Sequence, residues 1–91
     1  MSVIVRVPTT LRPATSGNAE ITVDAGTVGA ALAAVDAVHP GFKARICDDD
    51  GGLRRFVNVF VEDDDVRYLQ GLDTPVPEGN TVSIIPAVAG G

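Results

Sequence analysis

The stretch TVGAALAAVDAVHPG, residues 27–41, decides the fold. Val28, Ala31, Leu32, Val35 and Val38 recur at the three- and four-residue spacing of one helical face. Thr27, just ahead of them, suits the N-cap, where a side-chain oxygen accepts from a free amide, and Pro40-Gly41 ends the run. The spacing predicts a helix over 28–39, roughly 18 Å long at about 1.5 Å per residue, enough to lie across a small sheet. Gly29 lowers its stability. His39 falls at the helix end, where its ring interacts with the carbonyl pole of the dipole.

Working upstream, Ile21 and Val23 alternate with polar residues in Glu20–Asp24, and Val3, Val5 and Val7 alternate with Ile4 and Arg6 ahead of Pro8. Period two marks both as strands. Thr9–Ala19 holds Pro13, Ser16, Gly17 and Asn18 and reads as a turn-rich connection, so the two strands are expected to form an antiparallel hairpin with a wide loop. Downstream, Phe42 and Ile46 stand four apart and suit one more helical turn before Asp48-Asp49-Asp50-Gly51-Gly52 breaks the pattern. Phe56–Val61 is the strongest strand, with Val57, Val59 and Val61 assigned to the helix-covered face and Phe56, Asn58 and Phe60 to the other. The acidic turn Glu62–Asp65 is expected to lead into a short strand at Val66–Tyr68. Leu69–Val76 is a connection with room for a single helical turn, and Pro77-Glu78-Gly79-Asn80 is a tight turn. Thr81–Ile85 supplies the last strand, Val82 and Ile84 sharing a face, and Pro86 has no N–H to continue the ladder. A helix between a first hairpin and later strands, with the last strand central, predicts an α+β sheet covered on one face.

At 91 residues the chain is expected to be one domain with a small core, and 45% hydrophobic content with three Phe, one Tyr and no Trp makes that core aliphatic. A formal charge of −5 argues against nucleic-acid binding, which needs clustered Lys and Arg, and favours a basic protein partner. One cysteine, Cys47, excludes an internal disulfide and a Cys-based metal cluster. With no signal peptide or long apolar run, a cytoplasmic protein without membrane contact is expected. Cys47 reads as an ordinary thiol. A persulfide-carrying role is the alternative, with Arg45 close but no neighbouring Lys, His or Cys to activate it. Lys43 stands alone against six arginines, which looks like coding bias and leaves few sites for self-modification.

The acidic runs Asp48–Asp50 and Glu62–Asp65 either steer a basic partner, an effect that salt weakens, or are solvated turns. Calcium fits poorly, because Val59 stands where a loop beginning at Asp48 needs a closing Glu. Phe56, Asn58 and Phe60 form a docking patch on the open sheet face unless loops cover them. No Ser or Cys nucleophile stands with a suitable base, so no enzymatic activity is expected.

The chain closes on Ile84-Ile85-Pro86-Ala87-Val88-Ala89-Gly90-Gly91, and beyond Pro86 no side chain exceeds Val. Residues 1–86 are expected to be the folded domain and 87–91 a flexible tail, reaching roughly 17 Å when extended. Ala87, Val88, Ala89 and Gly90 can thread a narrow channel in a partner's active site. Gly90 and Gly91 lack Cβ, so the backbone can pass close to catalytic groups and present the Gly91 carboxylate. A merely frayed terminus is the competing reading.

Leu11-Arg12-Pro13, Arg55-Phe56-Val57-Asn58, Asp65-Val66-Arg67 and Ile85-Pro86-Ala87-Val88-Ala89-Gly90-Gly91, in that order, make the chain resemble the ubiquitin-like sulfur carriers. That family includes the molybdopterin synthase small subunit and the thiamine-pathway carrier, and the landmarks look most like the actinobacterial carriers that feed cysteine synthesis. The resemblance covers essentially the whole chain. Gly-Gly alone is weakly specific, and Pro-Ala-Val-Ala before it makes the ending strongly so. Glu78-Gly79-Asn80 departs from the Asp-Gly-Asp of many relatives, in a turn remote from the tail.

The resemblance implies a β-grasp fold, a mixed sheet of four to five strands with one main helix packed on one face. It implies an E1-like enzyme that adenylates the Gly91 carboxylate with ATP, and a sulfur donor that turns the acyl adenylate into a thiocarboxylate. The implied acceptor is a cysteine synthase-like or thiosugar synthase-like enzyme, with thiamine or molybdopterin synthesis as other sinks. A metalloprotease that frees product from the tail is a further implied partner. The carrier itself binds no cofactor or metal. Two other readings use the same ending: a protein modifier joined to lysines by isopeptide bonds, for which the single Lys43 disfavours chain building, and a non-covalent interaction module.

Overall fold

A computed structural model describes residues 1–49, 51–55 and 57–86. The order is β1 (Ser2–Arg6), a 3₁₀ helix (Thr9–Thr15), β2 (Glu20–Asp24), α1 (Val28–Val38), α2 (Phe42–Ile46), β3 (Val57–Val61), β4 (Asp64–Asp65), 3₁₀ turns at Val66–Tyr68 and Gly71–Asp73, and β5 (Thr81–Pro86). The strands form one sheet in the order β2-β1-β5-β3-β4. β1 pairs antiparallel with β2, Val3 opposite Val23, and parallel with β5, Val5 opposite Val82. β5 pairs antiparallel with β3, Val59 opposite Ile84. A parallel β1–β5 pair needs a crossover, and the chain that makes it carries α1.

Alternation fixes which side of the sheet is dry. Val3, Val5, Val59 and Val82 are fully buried and Ile84 nearly so, against Val28, Ala31, Leu32 and Val35 of α1 and Phe42 and Ile46 of α2. Each of the Val, Leu, Ile and Phe side chains among them contributes about 1.5–3 kcal/mol relative to exposure. This is the expected α+β sheet covered on one face, and its connectivity is that of the β-grasp. Among the described residues no helix is long and apolar enough to cross a membrane.

Thr27 caps α1 as its position suggests, its Oγ1 accepting from the Ala30 N–H at 3.1 Å. The helix stops at Val38, one residue short of the expected end, and His39 is the C-cap. Val38 does not join the buried stripe; it is 68% exposed. There the chain leaves the core for the turn into α2, in which Asp36 Oδ1 accepts from the N–H groups of Gly41 and Lys43.

Two segments differ from the sequence-based expectation. The connection after β1 is ordered over Thr9–Thr15 as a 3₁₀ helix with Pro13 inside it, Leu11 and Ala14 packing on the core. Thr15 is buried, its hydroxyl 3.1 Å from the Arg12 carbonyl and 3.0 Å from that of Asn18. The strand placed at Val66–Tyr68 lies earlier, at Asp64–Asp65, where Phe60 faces Asp65 and Val61 faces Asp64. Glu62, at φ 55°, tightens the reversal so that the returning strand starts sooner. Asp65 Oδ1 then accepts from the Arg67 N–H at 2.9 Å and turns Val66–Tyr68 into a capped 3₁₀ turn.

Candidate docking face and tail exit

β5 outruns one of its neighbours. Its pairing with β1 extends from Ile4↔Thr81 to Arg6↔Ser83, whereas pairing with β3 continues through Asn58↔Ile85 to Val57↔Pro86. Beyond Ser83 the strand is therefore flanked by β3 alone, and Pro86, without an N–H, stands in the last described pair. Any chain that follows starts from the end of the central strand.

The outer face carries the side chains that alternate away from α1. One cross-strand row runs Arg6–Ser83–Phe60–Asp65, and the next row toward the exit pairs Ile85 with Asn58. Phe60 is partly buried between Ser83 and Asp65, less prominent than a freely exposed aromatic. Ile85, 49% exposed, is the more prominent apolar group. It is not in the patch expected from the sequence, where alternation places Val82 and Ile84 on one face without saying which face the helix covers. Phe56, and Ala87, Val88, Ala89, Gly90 and Gly91, for which a tail was the expectation, lie outside the described residues.

Asn58 does not stand by itself. Arg67 Nη1 donates to its Oδ1 at 2.6 Å, and Nη2 donates to the Arg54 carbonyl at 2.7 Å. Arg54 in turn places Nε and Nη2 at 3.1 and 2.8 Å from the Ala44 carbonyl. A strap of two guanidinium groups thus runs from α2, across the approach to β3, to the outer face. Arg67 falls in the Asp65-Val66-Arg67 landmark, and nothing local in the sequence announces its contact with a residue nine positions away.

The acidic run Glu62–Asp65 is partly structural: Glu62 Oε2 accepts from the Thr81 N–H at 2.6 Å, and Asp65 is the cap described above. Among the described residues no group of three or more His, Cys, Asp or Glu is arranged to hold a metal ion. Cys47 is buried, and that burial pushes its thiol above the ordinary value despite the nearby Lys43. It favours the protonated thiol over the nucleophilic thiolate.

A ThiS family model matches residues 5–91. The chain is 43% identical over 93 residues to the sulfur carrier protein CysO of Mycobacterium tuberculosis (strain ATCC 25618 / H37Rv), covering 100% of both. The chain belongs to the ThiS family. As a ThiS-family member it is a ubiquitin-like sulfur carrier with the β-grasp fold. A chain of the crystallised Amycolatopsis orientalis BexX/CysO complex is similar at TM-score 0.91 and 43% identity, over 98% of this chain and 99% of that one. The small archaeal modifier protein 3 of Haloferax volcanii is 37% identical over 68 residues, 75% of this chain and 73% of that protein.

Proposed function

We propose that this ThiS-family protein carries sulfur as a thiocarboxylate on Gly91 and performs no catalysis of its own. In the cytoplasm an E1-like enzyme adenylates the Gly91 carboxylate with ATP, releasing pyrophosphate. Hydrosulfide from a sulfur donor attacks the acyl carbon, the bond to the AMP oxygen breaks, and AMP departs, leaving the thiocarboxylate. Activation comes first because a free carboxylate has no adequate leaving group. The family match supports this reading because it extends through Gly91.

The outer face is the proposed docking surface, with Phe60, Asn58 and Ile85, and with Phe56 assigned to it by sequence alternation alone. Ala87 to Gly90 would thread the partner's channel. Similarity to CysO supports cysteine synthesis as the sink, with a cysteine synthase-like acceptor. The BexX/CysO complex supports delivery by direct docking, for which a thiosugar synthase-like acceptor is the other proposed form. A metalloprotease is the proposed partner for releasing product.

Incubating the full chain with ATP, the adenylating enzyme and sulfide should add the oxygen-to-sulfur mass increment, and a variant ending at Ala89 should gain nothing. Sulfur delivery by that truncated variant overturns the reading. Likeness to an archaeal modifier protein favours isopeptide attachment as a second function. Covalent adducts between the chain and lysines of other proteins would mark it in the same spectra.

A further inference from the structure

Asn58 occupies the outer face of β3 directly opposite Ile85, one pair before the last described pair of β5. The two acceptors of the Arg67 guanidinium, Asn58 Oδ1 and the Arg54 carbonyl, straddle the entry into β3, and Val57 within that span faces Pro86. Arg67 is itself anchored at its backbone by Asp65. A guanidinium has donors and no acceptor, so an asparagine beside it must turn its oxygen inward and both Nδ2 hydrogens away. The bond is exposed and adds little to stability. Its consequence is orientation, since an amide released from it can present oxygen or nitrogen equally.

We propose that Arg67 is a positioning residue: it holds Asn58 so that the face beside the tail exit offers two N–H donors, which the adenylating enzyme meets with a carbonyl or carboxylate oxygen. This rests on the docking reading above and adds to it the polarity of the contact.

The test is titration of the isotopically labelled full chain with the adenylating enzyme in the absence of ATP. It reads docking separately from the mass increment that tests thiocarboxylation. Arg67→Gln, which accepts as well as donates, lets Asn58 turn over and should weaken binding about twofold, because only half of the amides then present nitrogen. Arg67→Lys, donor-only like arginine, should match wild type. Asn58→Asp keeps its oxygens toward Arg67 while losing both donors, and should weaken binding about tenfold, the scale of one interface hydrogen bond; it also keeps the test open if Arg67→Gln does not fold. Combining Arg67→Gln with Asn58→Ala should cost no more than Asn58→Ala alone. Equal losses for Arg67→Lys and Arg67→Gln would reduce Arg67 to a passive strap and overturn the proposal. So would movement of the Asn58 side-chain resonances on deletion of residues 87–91 instead of on addition of enzyme, because the donors would then serve the chain's own tail.

Discussion

Ile85 and Phe60 share the outer face but not the same standing: Ile85 is 49% exposed at the exit, while Phe60 is partly buried between Ser83 and Asp65. A charge at Ile85 therefore disturbs docking without touching the core. Ile85→Asp should raise KM for the carrier in ATP-dependent activation by about tenfold, the effect of an interface anchor worth just over 1 kcal/mol. Its thermal melt should match wild type, and unchanged KM would remove this face from docking. Cys47 makes the opposite case, a reactive residue type placed where it cannot react. Burial raises its pKa, so the native chain retains a proton that the unfolded chain gives up. Its contribution is present below the ordinary thiol pKa and is lost as pH rises past it. Iodoacetamide should label Cys47 far more slowly in the native chain than in denaturant, as mass spectrometry can follow.

Elements show which kinds of signal a linear sequence holds. The apolar spacing of α1 and the alternation of β3 could be read in advance because both repeat along the chain. The 3₁₀ helix at Thr9–Thr15 could not, because its short turns lack the three-and-four apolar spacing and Pro13 reads as a breaker. The shift of β4 onto Asp64–Asp65 followed from the backbone of Glu62, which residue type does not announce. At the start of α1, Thr27→Ala should destabilise the chain by about 1 kcal/mol in chemical denaturation, the usual loss for an N-cap. Gly29 has a reason that propensity does not suggest: an added Cβ would lie 3.1 Å from the Leu72 carbonyl oxygen. Leu72 sits in a 3₁₀ turn pinned by Thr74, whose N–H donates to Gly71, whose Oγ1 accepts from Gln70 and whose carbonyl accepts from Val28. The turn cannot readily withdraw. Gly29→Ala should thus lose stability instead of gaining the roughly 1 kcal/mol that alanine brings to an open helix, and a higher denaturation midpoint would show that the turn yields.

Across the whole molecule, charged groups mark both ends of the sheet. Arg54, Arg55 and Arg67 gather near the entry of β3, where Pro86 is paired, while Asp24, Glu62 and Glu78 lie toward the far end, with Met1. The Met1 ammonium pairs with Asp24 and is raised by that contact, while the Asp24 carboxyl is lowered. Any stability from this pair is present between the two ordinary pKa values. It disappears as pH falls through the lowered Asp24 value or rises through the raised amine value. Asp24→Asn should bring the amine titration back down, measured by NMR, with almost no change in neutral-pH melting because both groups are exposed. The sequence by itself determined the layers, the alternation of each long strand and the inward face of β3, the main helix and the family-like ending, since each is written in periodicity or contiguous motif. Only the tertiary structure decided that β5 runs past β1 at the exit, that Ile85 belongs to the outer face's apolar surface, and that Arg67 reaches Asn58. Those facts depend on strand register and on side chains brought together from separate segments, and the physical reason is that contact geometry is a property of the folded chain, with no trace in local order.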